Sequence, residues 1–168
     1  MFCPARLDRR VETGYDQSMN YTYKQLGSGD IELLKKLLKV FGQAFKDIPT
    51  YQNAIPSNAY LTSLLAKPDF IVLVATGEDE IVGGLAAYQL QKFEQERSEI
   101  YIYDLAVDEA HRRKGIATRL IQELKNIAKN RDAYVIYVQA DKEDLPAIKL
   151  YESLGKKEDV FHFDIPVK

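Results

Sequence analysis

A single cysteine, Cys3, excludes a disulfide within the chain, and two histidines, His111 and His162, form no cluster with metal-ligand spacing. No apolar run is long enough to span a bilayer. Residues 1–18 carry scattered charges without the apolar core of a secretory signal. A charge excess is lacking too: a net charge of −2 gives no basic footprint for general nucleic-acid binding. Internal repeats and low-complexity tracts are also missing. These absences predict a cytoplasmic, metal-free protein with neither nucleic acid nor membrane as a partner. What remains is ordinary globular composition, 46% apolar and 29% charged over 168 residues, enough for one core. We expect residues 1–18 to be a disordered leader and 19–168 a single domain, with Met19 as a second natural translation start.

The chain is organised around residues 103–118. An apolar strand-like run, 100–107, leads through a short acidic step into the basic triplet Arg112, Arg113 and Lys114. After Gly115 the apolar residues Ile116, Ala117, Leu120, Ile121, Leu124, Ile127 and Ala128 fall at helical spacing. Gly115 therefore marks a helix start, where the first unpaired N–H groups and the positive dipole end favour an anion. A diphosphate would suit that place, whereas a solvated helix end would need nothing bound.

The rest reads in order. Residues 20–26 alternate as a first strand, Asp30 caps a helix over 31–45, and Pro49 ends it. A loop with Tyr51, Gln52 and Asn53 either lines a cleft or simply connects to a second helix, 57–66. Strands over 70–75 and 81–90 form a hairpin around 76–80, and a third strand, 99–107, follows. After the crossover helix come a strand at 133–140, a helix from Asp144 and Pro146 stopped at Gly155, and a last strand at 159–165. The fold class is α+β: a mixed central sheet, antiparallel in its N-terminal half with a parallel pair around the helix start, flanked by helices.

The segment Arg112-x-x-Gly115-x-Ala117 resembles the pyrophosphate-binding signature of the GNAT N-acetyltransferases, and Ala147-x-x-Leu-Tyr151-x-x-Leu-Gly155 resembles their downstream motif. The element order also resembles the GNAT fold. Lys92-Phe-Glu, the strand from Arg97 to Val107, His111-Arg-Arg, Gly115-Ile-Ala-Thr118, the run 133–141 and His162-Phe-Asp-Ile165 are similar to type I aminoglycoside 3-N-acetyltransferases. This resemblance covers residues 41–165. It implies acetyl-coenzyme A as cosubstrate, held by Leu105, Ala106 and Val107 along its pantetheine arm and by Arg112, Arg113, Lys114, Gly115, Ile116, Ala117 and Thr118 at its diphosphate. It also implies a homodimer.

Acyl transfer from a thioester to an amine needs a neutral amine, a polarised carbonyl and a proton for the departing thiolate. Alkylamines have pKa values near ~10, so a carboxylate must first hold the ammonium and then take its proton. Asp104 is the candidate, because a carboxylate inside an apolar run is costly without a function or a partner. The bland alternative is a strand-end carboxylate that caps backbone or pairs with a lysine. The Val107 N–H would polarise the carbonyl. The resemblance places Tyr151 at the coenzyme sulfur as general acid, against a ring that merely fills the core. A glutamate base used by many GNAT enzymes is replaced here by Tyr101, so that mechanism does not transfer.

Glu94, Glu96, Glu99, Asp104, Asp141 and Asp164 fall in segments expected near the acceptor face. Glu99, Asp104, Asp141 and Asp164 are the candidate substrate-binding carboxylates, suited to an aminoglycoside or another polycationic amine. Separate solvated carboxylates are the alternative. Acetylation of an aminoglycoside 3-amino group, conferring antibiotic resistance, leads. Acetylation of a polyamine, metabolite or protein, and coenzyme binding without catalysis, stand behind it.

Overall fold

The computed structural model describes residues 20–167, so the expectations for residues 1–18 and for Met19 lie outside the described residues. Five strands form one sheet in chain order, β1 (Thr22–Gln25), β2 (Phe70–Gly77), β3 (Glu80–Gln91), β4 (Ser98–Val107) and β5 (Ala133–Val138). Neighbours are antiparallel except β4 and β5, which are parallel. Helices α1 (Ile31–Ala44) and α2 (Asn58–Leu65) cover one face; α3 (Ile116–Asn130) and α4 (Leu145–Glu152) cover the other.

Strand β2 explains the layering. Its side chains alternate, with Ile71, Leu73 and Ala75 in the α3 core and Val72 and Val74 in the α1–α2 core, all fully buried. A strand covered on both faces reads as a continuous apolar run, which is why 70–75 carries no polar alternation. Helix α1 supplies Leu34, Leu37, Val40 and Phe41, and α3 supplies Ile116, Leu120, Ile121, Leu124 and Ala128, each set on one stripe. Burying each large side chain contributes roughly 1.5–3 kcal/mol.

Expected and observed elements agree to within a few residues, with three informative differences. The hairpin strands run longer than expected and leave a two-residue turn, Glu78 and Asp79, with φ values of 51° and 64°. Both sit in the left-handed region that such tight hairpins require. The loop at Tyr51 is a π-helical turn, Pro49–Asn53, clamped against α1. A Cβ on Gly42 would lie 2.8 Å from Gln52 Nε2 and 3.2 Å from Tyr51 Cβ, so the glycine lets the turn approach α1 without displacing either side chain.

The third difference is a correction. Residues 159–165, expected as a last strand, belong to no strand; the sheet ends at β5. Alternating apolar residues give a segment a strand's faces, but a strand exists only where a neighbouring edge pairs with it.

Candidate active site

Two irregularities in β4 build the site. Its pairing with β5 runs from Ser98↔Ala133 to Ile102↔Val138 and then stops, so residues 103–107 continue without a neighbour on that side. Toward β3 a register shift sets Ile102 against Ala87 and Asp104 against Ala86, leaving Tyr103 as the extra residue. Such a bulge re-aims the side chains that follow it. Ile100, Ile102, Leu105 and Val107 all point into the α3 core, while Asp104 and Ala106 face α1 and the π-helical turn. Without the bulge, strict alternation would set Asp104 among the isoleucines.

Asp104 is half-buried, and the Tyr51 hydroxyl donates to both of its oxygens at 3.1 Å. Tyr51 is itself wedged edge-on against Phe41, with ring centres 5.9 Å apart, and beside Phe45 at 5.6 Å. Among the described residues no lysine, arginine or histidine pairs with Asp104. Burial pushes its carboxyl above the ordinary aspartate range, and the Tyr51 hydrogen bond offsets part of that. Burial and the neighbouring Asp104 charge likewise drive the Tyr51 phenol upward, so it remains a donor. The expected alternative of a lysine pair or a backbone cap is therefore not what the fold provides.

Tyrosines wall this face. Tyr103, 62% exposed through the bulge, meets Tyr88 and Tyr101 edge-on with ring centres 6.0 and 5.9 Å apart. Tyr101 stacks on Tyr137 at 4.9 Å. Further along β4, Glu99 is already engaged: Lys92 lies 3.5 Å away and the Tyr134 hydroxyl donates at 3.0 Å. Lys92 also reaches Glu94 at 3.5 Å, so a side-chain ammonium is held on two carboxylates at one end of the face. Asp141 and Asp164 are exposed and share no hydrogen bond or ion pair with Asp104; Asp164 pairs with His162 at 3.1 Å.

The basic turn forms beyond the open end of β4. A 3-10 turn, Glu109–His111, is capped by Asp108, whose side chain accepts from Ala110 N–H at 2.9 Å. Gly115 then opens α3 with φ of 78°, and no atom lies within 4 Å of where its Cβ would be. The first helical bond is Arg119 N–H to Gly115 O at 3.0 Å, so the N–H groups of Ile116, Ala117 and Thr118 precede it and face outward. No side chain caps them. Arg113 adopts φ of 65°, completing a strained turn around this opening. Such a cradle fits a diphosphate. Lys114 is exposed beside it, while Arg112 turns back, its Nε donating to Val107 O at 3.1 Å. A cavity of about 250 Å³ beside Arg112 is lined by Val40, Gln43, Ala44, Asp108 and Glu109.

That Arg112 contact orients the strand end. Asp108 N–H bonds back to Val82 O of β3 at 2.8 Å, so by alternation the Val107 N–H and carbonyl point away from β3, toward the splay. Arg112 occupies the carbonyl and leaves the N–H. Leu105 and Ala106 line the same stretch.

Tyr151 on α4 packs against the α3 core and makes no hydrogen bond among the described residues. Burial, with a contribution from Asp144, pushes its phenol up to about 12. Asp144 caps α4 by accepting from Ala147 N–H at 3.0 Å.

Sequence reasoning singled out Asp104 but not its partner. Tyr51 reads as a loop residue open to either a cleft or a connection, and only packing of the turn onto α1 sets its hydroxyl on Asp104. Tyr88 and Tyr103 carried no signal beyond strand composition.

Known proteins share this fold. An aminoglycoside acetyltransferase from an uncultured soil metagenomic sample is 56% identical, with 89% of this chain and 100% of that chain covered and a TM-score of 0.88. A second soil metagenomic aminoglycoside acetyltransferase, solved in complex with sisomicin, is 33% identical over 88% of this chain and 97% of that chain, with a TM-score of 0.81. Human N-acetyltransferase 8 is 28% identical over 56% of this chain, which spans 42% of that protein's length. The acetyltransferase (GNAT) family model matches residues 33–156, a span that takes in Tyr51, the splayed strand, the cradle and Tyr151, and the chain belongs to that family.

Proposed function

We propose that this protein transfers the acetyl group of acetyl-coenzyme A to an amine of an aminoglycoside, at its 3-amino group, and thereby confers resistance. The observation that carries the acceptor assignment is Asp104: a half-buried carboxylate with a phenol for a neighbour and no cationic partner among the described residues, on a face walled by tyrosines. An ammonium group supplies the missing charge, and tyrosine faces attract cations as well. The 56% identity to an aminoglycoside acetyltransferase supports the same acceptor class. We place the enzyme in the cytoplasm as a homodimer.

The residues divide the work as follows. The N–H groups of Ile116, Ala117 and Thr118, with Arg113 and Lys114, hold the diphosphate; Gly115 leaves room for it. Leu105 and Ala106 line the pantetheine arm, and the Val107 N–H donates to the thioester oxygen as negative charge develops there. Asp104 binds the acceptor ammonium and takes a proton from it, freeing the nitrogen lone pair. That nitrogen bonds to the carbonyl carbon, the carbon–sulfur bond breaks, and the thiolate takes a proton from Tyr151, which recovers one as the second proton leaves the new amide nitrogen through water; Asp104 returns its own proton to solvent. A phenol at about 12 is too weak an acid to lose its proton near neutrality, yet it can hand one to a thiolate in the same step. Arg112 acts through Val107 by fixing its peptide. Of the other acceptor carboxylates, Glu99 is reached once Lys92 gives way to a substrate ammonium, while Asp141 and Asp164 steer the polycation from the surface.

A polyamine is the second acceptor class, favoured by the way Lys92 already lays an alkylammonium on Glu94 and Glu99. The deciding experiment is coenzyme A release from acetyl-coenzyme A with gentamicin, kanamycin, spermidine or a lysine peptide, at low and high salt. Fast turnover on gentamicin, with NMR placing the acetyl group on the 3-amine and KM rising with salt, is expected. Turnover confined to spermidine transfers the assignment to polyamines; coenzyme binding without any turnover removes the catalytic reading.

A further inference from the structure

The cradle at the start of α3 is braced from β1. Tyr21 stands one residue before that strand and Tyr23 within it, two positions apart and therefore on one face, and both pack at the margin of the α3 core. The Tyr21 hydroxyl lies 3.0 Å from His111 Nδ1, across 90 positions of sequence, with the two rings edge-on and their centres 5.8 Å apart. The Arg119 guanidinium sits over the Tyr23 ring at 5.9 Å and is steadied by Glu123 at 2.7 Å. His111 is the last residue before the cradle turn, and Arg119 donates the first hydrogen bond of α3. The first strand thus grips the chain on both sides of residues 112–118.

That grip acts on a strained stretch. Arg113 and Gly115 sit at φ of 65° and 78°, a backbone that persists only where its surroundings over-determine it. Arg112 ties the turn inward, its Nε donating to Val107 O at 3.1 Å, and His111 ties it outward to Tyr21. Tyr21 is itself seated: a Cβ on Gly77, at the end of β2, would lie 2.7 Å from its Cε1, so the bare glycine lets the ring lie close against the sheet. The acyl transfer uses neither residue. Its acceptor groups, Asp104 and Tyr51, lie on the other face.

We propose that His111 is a positioning residue for the coenzyme: fastened by Tyr21, it holds the turn into α3 in the shape that receives the diphosphate, and docking of β1 and binding of coenzyme strengthen one another. A cradle already in its binding shape loses less affinity to its own ordering. Coupling of this kind is reciprocal: whatever the Tyr21 contact adds to coenzyme affinity, bound coenzyme adds to the hold on β1. That strand is suited to register it, being four residues long, largely exposed, and paired on one side only among the described residues. The inference rests on the cradle as the coenzyme's diphosphate site and is independent of the acceptor.

Calorimetry with coenzyme A reads affinity without turnover. Tyr21→Phe and His111→Phe keep both rings, and each removes one side of the hydrogen bond. Each should weaken coenzyme A binding several-fold, at most about tenfold, with KM for the amine unchanged. The double variant should be no weaker than either single one. His111→Asn, whose amide offers a polar atom near the place of Nδ1, should recover most of the loss. In the parent, amide exchange over residues 22–25, followed by mass spectrometry, should slow when coenzyme A is added, and in Tyr21→Phe it should slow less. Lower melting temperatures with unchanged coenzyme affinity overturn the proposal, because a bond that only stabilises the fold gives that result. So do losses that add in the double variant, no recovery in His111→Asn, or exchange in the parent that coenzyme A leaves unchanged. A parent that binds no coenzyme A ends the cradle reading as well, whereas binding untouched by the variants ends this inference alone.

Discussion

The Tyr51 hydroxyl lies 3.1 Å from each carboxylate oxygen of Asp104, across 53 positions of sequence. A phenol shared between both oxygens stabilises the ionised carboxylate without neutralising it, which keeps Asp104 both basic and available to a cation. Removing that donor isolates its effect. In Tyr51→Phe the offset to burial is lost and the Asp104 pKa rises further. The acid limb of kcat/KM for the amine should therefore move to higher pH, read from a pH–rate profile.

Asp104→Asn separates function from stability. Because burial raises the folded carboxyl above its unfolded value, ionisation costs stability at every pH above the folded pKa, and the cost vanishes below the unfolded one. The asparagine variant should melt at or a few degrees above the parent at neutral pH, with the difference disappearing in acid. Its kcat/KM should fall by roughly 10²–10⁴-fold. A melting point well below the parent's at pH 7 would contradict the assignment of Asp104 as a group kept for chemistry.

Tyr151→Phe keeps the ring that packs on the α3 core and deletes only the hydroxyl. We expect kcat to fall by roughly 10²-fold with little change in melting temperature or in KM for acetyl-coenzyme A. With the phenol at about 12, its deprotonation produces no basic limb in the parent profile below about pH 10. Steady-state kinetics at saturating amine, with a thermal melt of the same samples, distinguish this from a packing role.

Gly115→Ala tests the cradle through backbone and space together. The residue sits at φ of 78°, where a side chain costs about 1–2 kcal/mol, and its Cβ would project into open space. Melting should drop by about 2–8 °C. KM for acetyl-coenzyme A should rise several-fold with KM for the amine unchanged, since the methyl enters the room left for the diphosphate.

Leu120→Ala removes a fully buried side chain of α3 and should cost about 2–5 kcal/mol in a denaturant titration. The distance from the acceptor face means that kcat/KM for the amine, measured where the variant is folded, should stay within a few fold of the parent.

The sequence by itself determined the elements whose cause is local. The helix start at Gly115, the apolar stripe of α3, the apolar run of β2 and the order of elements as far as α4 follow from residue spacing and backbone preference. Asp104 was legible as a carboxylate too expensive to bury idly. Only the tertiary structure decided what surrounds it. Which face Asp104 takes depends on a bulge at Tyr103, which arises from pairing with β3 and is invisible in β4 alone. Its partner Tyr51 arrives from a turn that Gly42 lets settle onto α1. The fate of residues 159–167 is the clearest case: alternation makes them capable of being a strand, but a strand is completed by a neighbour's edge, and that edge is a property of the assembled sheet.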